Sequence, residues 1–247
     1  TQMKPVKDNF STQAELYQKY RPTYPTELYN LILSHCKGFD LAWDCATGNG
    51  QVAQRISNNF KRIHATDISE KQLSFAPQIA NVEYYLGRAE SSGLTDNSVD
   101  LITVGQAIHW FDFEKFYQEV NRVLRPSGLI AVWTYGTFRV NDKVDSLIDH
   151  FYEKTVGSYW DIERRLIDEK YQTIPFPFKE IRTDKNFEIQ KKWTLLELEG
   201  YLNTWSSVGH FKKKEGHNPV PKLISKIKPF WSEEDQTVFP IYLRLGK

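Results

Sequence analysis

The chain has 247 residues, a formal net charge of +1, and 40% hydrophobic residues. That length and composition suit a single domain with a sizeable core, and so balanced a charge argues against nucleic acid or an anionic membrane as partner. No run of about 18 apolar residues offers a membrane span, residues 1–10 lack a secretory leader's apolar centre, and the two cysteines, Cys36 and Cys45, form neither a CxxC pair nor a disulfide framework. A cytoplasmic monomer or homodimer with two buried thiols is expected.

Residues 1–9 read as a mobile terminus, and residues 10–20 as a helix capped by Asp8 or Ser11. In YRPTYP (20–25), Pro22 and Pro25 force an extended turn. An amphipathic helix follows over 26–36. Leu41, Ala42 and Trp43 form a short buried strand that ends at Asp44, and the turn Gly48-Asn49-Gly50 leads into a helix with Val52, Ala53 and Ile56 at helical spacing. The second strand, 62–66, ends at Asp67. Ser69 caps a helix that Pro77 keeps short. Strand three covers 82–86, with a Gly87-Arg88-Ala89-Glu90 loop behind it. Strand four covers 99–104 and runs directly into QAIHWF (106–111). A helix over 113–124 stops at Arg125-Pro126-Ser127-Gly128, and strand five covers 129–133.

Past Trp133 the strand-helix alternation fades. Residues 144–155, 161–170, 194–205 and 219–227 read as helices, 187–193 as a strand, Pro175 and Pro177 as a turn, and GHFKKKEG (209–216) as a polar turn. Residues 237–245 alternate like a returning strand, with Pro240 marking an edge or a bulge.

Each part of the segment 41–51 has a chemical reason. The C-terminal end of a parallel strand opens onto the crevice where open α/β sheets bind ligands. Gly48 and Gly50 let a ligand approach the main chain, and the helix behind them aims unpaired N–H groups at it. Asp44 could fix an amino group or orient the loop. GNGQVA also fits the dinucleotide fingerprint, and a tight turn without a ligand fits as well. Asp67, 19 positions past Gly48 at the tip of strand two, suits a ribose diol, so an adenosine-containing cofactor is expected.

The D-x-x-x-G-x-G run of Asp44, Gly48 and Gly50, followed by TDIS with Asp67, resembles the class I S-adenosylmethionine-dependent methyltransferases. So do GRAE (87–90), NSVDLITVGQAIHWFD (97–112) and NRVLRPSGLIAVW (121–133). A dehydrogenase is not expected to carry Asp44 with the last two segments. The resemblance implies an α/β, Rossmann-like sheet of seven mostly parallel strands flanked by helices. It places a cofactor core at 10–134, a helical cap with the substrate site at 135–235, and the returning strand at 236–247. It implies that S-adenosyl-L-methionine is held by Tyr20, Arg21, Asp44, Ala46, Gly48, Gly50, Asp67, Ile68, Gln72, Ala89, Glu90 and Gln106, with Tyr20 and Arg21 at its methionine end. The acceptor would meet His109, Trp110, Trp133, Tyr135 and Trp205.

His109 is the one histidine placed to act as a general base, although as neighbour of Trp110 and Phe111 it also reads as a pocket wall. The other histidines lack metal-ligand spacing, so no metal is expected. Residues 193–211, with Thr204-Trp205-Ser206, resemble the trans-aconitate methyltransferase branch, which implies a small carboxylic acid as acceptor. Lys212, Lys213 and Lys214 read as a solvated turn or as a contact for such an acid. Other readings are methylation of another metabolite at oxygen, nitrogen or carbon, and a catalytically silent homologue that keeps the cofactor site. An RNA methyltransferase would need a basic patch with interleaved aromatics.

Overall fold

The computed structural model describes residues 19–247. The terminus at 1–9 and the helix expected over 10–20 lie outside the described residues, apart from Lys19 and Tyr20. Parallel strands β1 (Leu41–Cys45), β2 (Arg62–Asp67), β3 (Val82–Leu86), β4 (Val99–Gly105) and β5 (Leu124–Tyr135) make the body of the sheet. The short β6 (Glu180–Ile181), β7 (Phe187–Lys192) and the long β8 (Gln236–Gly246) complete it, with β5, β6 and β7 each antiparallel to β8. The order is β3-β2-β1-β4-β5-β8-β6, with β7 also on β8. The mostly parallel α/β sheet is the expected one, with eight strands once β6 is included.

The strands bury both faces. On β1, Leu41, Trp43 and Cys45 join the core with α4 (Phe113–Val123), while Ala42 joins the core with α1 (Thr26–His35) and α2 (Gln51–Ile56). Alternation of period two on a strand covered on both sides produces this division. On α4, Phe116, Val120 and Val123 form the buried stripe, and the Asp112 carboxylate caps the Lys115 N–H.

Strand order reverses between β1 and β4, so the crevice beyond their C-terminal ends is the ligand position of an open α/β sheet. The segment after β5 covers that end. It supplies α5 (Asp142–His150), a π-type turn over Phe151–Thr155, α6 (Arg164–Asp168), α7 (Leu195–Leu202), α8 (Ser206–Glu215) and α9 (Val220–Ile227). α5 is thus shorter than the helix expected over 144–155. α6 is shorter than the one expected over 161–170, because Lys170 and Tyr171 turn left-handed behind it.

The polar turn expected at 209–216 is instead most of α8. Gly209 sits inside the helix, the three lysines occupy its last turn, where the helix dipole favours cations, and Gly216, at φ 75°, is the cap that ends it. Pro240 is tolerated within β8 because its main chain faces past the end of β5. There its carbonyl accepts the Gly136 N–H at 2.9 Å and no N–H is required of it.

Candidate active site

The loop behind β1 is built on Asp44, whose side chain is 1% exposed. One carboxyl oxygen accepts from the Thr47 hydroxyl and from the Ala53 N–H at 3.1 Å. The other accepts from the Thr103 hydroxyl at 2.8 Å. Asp44 therefore orients the loop, tying β1 to α2 and β4. Burial pushes its pKa up from an ordinary 3.8 to about 6, against the lowering pull of these three donors. Ala46, next along, holds a left-handed φ of 56°.

Gly48 (φ 58°) donates its N–H to Asp67 Oδ2 at 2.8 Å, and Ser69 donates its own to Asp67 Oδ1 at 2.9 Å. Each carboxylate oxygen has two lone pairs, so Asp67 keeps acceptor capacity for the hydroxyls of a ribose. Gly50 has φ 81°, and a Cβ there would stand 2.7 Å from the Tyr84 hydroxyl. That hydroxyl is buried without a hydrogen-bond partner, as are both amide atoms of Gln72 and the Trp133 indole N–H. Gln72 Oε1 and Arg21 Nη1 both approach the space over Gly48. Buried polar groups left unpaired are costly, and here they gather around a glycine turn.

A small cavity at this turn is lined by Arg21, Tyr24, Asp44, Ala46, Thr47, Asn49, Gln51, Val52 and Gly105. With the unpaired polar atoms around the turn, these residues could take the amino-acid end of an adenosylated amino acid, Arg21 being oriented by the bond from Nη2 to the Tyr24 hydroxyl at 3.3 Å, and Asp67, outside the lining, could take the ribose. Of the residues expected at the cofactor, Arg21, Asp44 and Ala46 line this cavity; Tyr20, Gly48, Gly50, Asp67, Ile68, Gln72, Ala89, Glu90 and Gln106 do not, Ile68 being exposed and Ala89 buried. Glu90 accepts from Arg88 Nε and from the Asp112 N–H, joining the loop after β3 to the start of α4.

The adjoining cavity lies past Gln106. Its lining joins Gln106, His109, Trp110 and Tyr135 from the sheet side to Trp160, Asp161, Arg164, Ile167, Tyr201, Thr204, Trp205 and Ser206 from the covering segment. Gln106 has φ 58°, and its side-chain oxygen accepts from the Thr134 hydroxyl at 2.7 Å and the Tyr135 N–H at 2.8 Å. His109 is buried, with Nδ1 2.7 Å from the Tyr171 hydroxyl. Burial raises the Tyr171 pKa far above the phenol range, so the hydroxyl keeps its proton. Arg244 of β8 pins the turn carrying Tyr171 by donating to the carbonyls of Tyr171 at 3.1 Å and Ile174 at 2.8 Å.

Of the residues expected at the acceptor, His109, Trp110, Tyr135 and Trp205 share this cavity. Trp133 does not line it. Two residues back from the end of β5 it is fully buried, its ring edge-on to Tyr24 at 5.4 Å and packed over Gly105. Tyr20 lies against Gly200 of α7. The three lysines stay on the outside of α8, Lys214 over the Tyr159 ring. Sequence reasoning missed Tyr24, Tyr84, Arg164 and Tyr171. The signal for Tyr24 was present in YRPTYP; the others carry no motif. Among the described residues no helix is long and apolar enough to cross a membrane, and no cluster of three or more His, Cys, Asp or Glu is placed to hold a metal.

Residues 43–132 match the methyltransferase domain family. A Dictyostelium discoideum protein described as a methyltransferase is 35% identical over 97% of this chain and 95% of its own length. A methyltransferase-like protein of Schizosaccharomyces pombe is 31% identical over 92% and 90%. A solved structure from Anaeromyxobacter dehalogenans, described as a type II methyltransferase, superposes with a TM-score of 0.84 at 34% identity, over 92% of this chain and 98% of that one. The glycine turn, the acidic tip of β2 and relatives matched over nearly their whole length agree: the chain belongs to the class I S-adenosylmethionine-dependent methyltransferases.

Proposed function

We propose that this enzyme methylates a small carboxylic acid and forms its methyl ester. The observation that carries the reading is the adjacency of two cavities: Gly105 walls the one at the glycine turn, and the next residue, Gln106, walls the one among His109, Trp110, Tyr135 and Trp205. When bound, S-adenosyl-L-methionine supplies a methyl group made electrophilic by a positive sulfur. The residues around Gln106 then have to position an acceptor and exclude water, and positioning supplies much of the rate of such a displacement.

A carboxylate is ionised at neutral pH and needs no base. His109, tied through Nδ1 to a protonated phenol, serves such an acceptor as a wall or as a hydrogen-bond donor. Thr204, Trp205 and Ser206, the segment resembling the trans-aconitate methyltransferases, all line the cavity. In this reading 10–134 is the cofactor core, 135–235 the cap and substrate site, and 236–247 the returning strand. An acceptor screen with methyl-labelled S-adenosylmethionine over small acids, phenols and amines tests it. Label released from acids by mild alkali is the expected result; transfer to phenols or amines with none to acids refutes it.

A further inference from the structure

Among the described residues, Arg164 is the arginine in the wall of the acceptor cavity, which no lysine lines, and its side chain is only 18% exposed. It comes from the first residue of α6, in the covering segment, whereas Gln106 enters from the end of β4. Its guanidinium is fixed on one edge. Nε donates to the Tyr152 hydroxyl at 2.8 Å and stands 3.6 Å from Asp168 Oδ1, and the Tyr152 hydroxyl donates a hydrogen bond to that same oxygen at 2.7 Å. Its faces are fixed too, 4.7 Å from the Trp160 ring centre and 5.3 Å from that of Tyr152. Among the described residues no acceptor takes a hydrogen bond from either terminal amino group.

A largely desolvated guanidinium with its outer fork unsatisfied favours a planar oxyanion, which two parallel N–H donors match. The other charged group in the lining, Asp161, has partners of its own, among them His210 Nδ1 at 3.9 Å. Trp160, Trp205 and Tyr201 supply an apolar wall beside the fork.

We infer that Arg164 anchors an anionic group of the acceptor other than the atom that is methylated. The inference rests on the small-molecule reading above and sharpens it. An oxyanion gripped by the fork has its lone pairs engaged and its charge neutralised, so it is a poor nucleophile; the accepting atom lies at the sheet side, by Gln106 and His109. The acceptor is therefore two-ended, with an anion toward the cap and a nucleophile toward the sheet, and Arg164 determines its specificity.

The test is equilibrium binding, which needs no turnover. The full chain with S-adenosylhomocysteine is titrated with butyrate against butyramide and with phenylacetate against phenylacetamide, read by tryptophan fluorescence or calorimetry. Wild type should bind each acid at least about tenfold more tightly than its amide, as charge-assisted hydrogen bonds predict. Arg164→Gln should bring that ratio close to one, and Arg164→Lys, a point charge without the fork, should retain part of it. Equal binding of acid and amide by wild type, no acid binding at millimolar concentrations, or an unchanged ratio in Arg164→Gln overturns the assignment. The wild-type ratio decides even if a variant folds poorly. Acids that bind through Arg164 while none is methylated would keep the anchor and remove the ester reading.

Discussion

Replacing Asp44 by Asn isolates the cost of a charge buried under the cofactor loop. The carboxyl is 1% exposed, and burial raises its pKa from 3.8 to about 6. The folded protein therefore binds this proton more tightly than the unfolded chain does. Stability from this group is fully present below about pH 4, is lost as pH rises towards 6, and is constant above. The gap of about two pH units, at about 1.4 kcal/mol each, amounts to about 3 kcal/mol.

Asn carries no such charge, and its amide fits the same partners with its oxygen toward the Thr47 hydroxyl and the Ala53 N–H and its nitrogen toward the Thr103 hydroxyl, which can accept as well as donate. Asp44→Asn is thus close to wild type at pH 4 and more stable by up to about 3 kcal/mol at pH 7. Urea unfolding of both proteins from pH 4 to 8 measures this, and the difference between the two curves removes the other carboxylates. The reasoning fails if the two curves run parallel.

Gly50→Ala should cost about 1–3 kcal/mol, because φ 81° strains a residue that carries a Cβ and the new Cβ meets Tyr84; melting and S-adenosylhomocysteine calorimetry should show both a lower midpoint and weaker binding. For a carboxylate acceptor, kcat should stay flat from about pH 6 to 9 and His109→Gln should retain most of it, whereas a rising limb near about 6.5 that vanishes in His109→Gln would identify a base instead. Hydrogen exchange should slow across residues 135–211 when S-adenosylhomocysteine and an acid bind together, and unchanged protection there would count against a closing cap.

The cofactor half was legible because its signals are local. An apolar run, an acidic strand tip and two glycines within seven residues describe β1, the turn and α2 without any distant partner. Of the two roles open to Asp44 in the sequence, the structure takes the one that orients the loop, but its partners Thr47, Ala53 and Thr103 were not legible, Thr103 lying 59 positions away. His109 was singled out from its place after β4, but its partner Tyr171 is 62 positions on, in a turn held by Arg244 of β8. Arg164 carries no motif; its meaning comes from Tyr152, on the π-type turn, and from Trp160, between that turn and α6. The helix α8 was misread because Gly209 and Gly216 look alike in sequence, while only Gly216 takes positive φ.

The two sides of the acceptor cavity differ in how firmly they are held. On the sheet side, Gln106 keeps a left-handed conformation that costs about 1–3 kcal/mol and persists only where the surroundings over-determine it. They do: its N–H reaches the Trp133 carbonyl at 2.8 Å, and its side chain bridges to Thr134 and Tyr135. Gly105, beside it, has Trp133 so close that a Cβ would stand 3.0 Å from the ring. The free volume of the cavity is about 80 Å³, room for about two or three waters and less than the roughly 300 Å³ at the low end for ligand pockets. An acceptor with an apolar body therefore needs one wall to yield. The pinned ends of β4 and β5 leave that to the opposite wall, where Trp160, Arg164 and Trp205 come from segments outside the parallel sheet. Entry of the acceptor and alignment of its anion would then be one event, with the guanidinium taking up its partner as the covering segment closes.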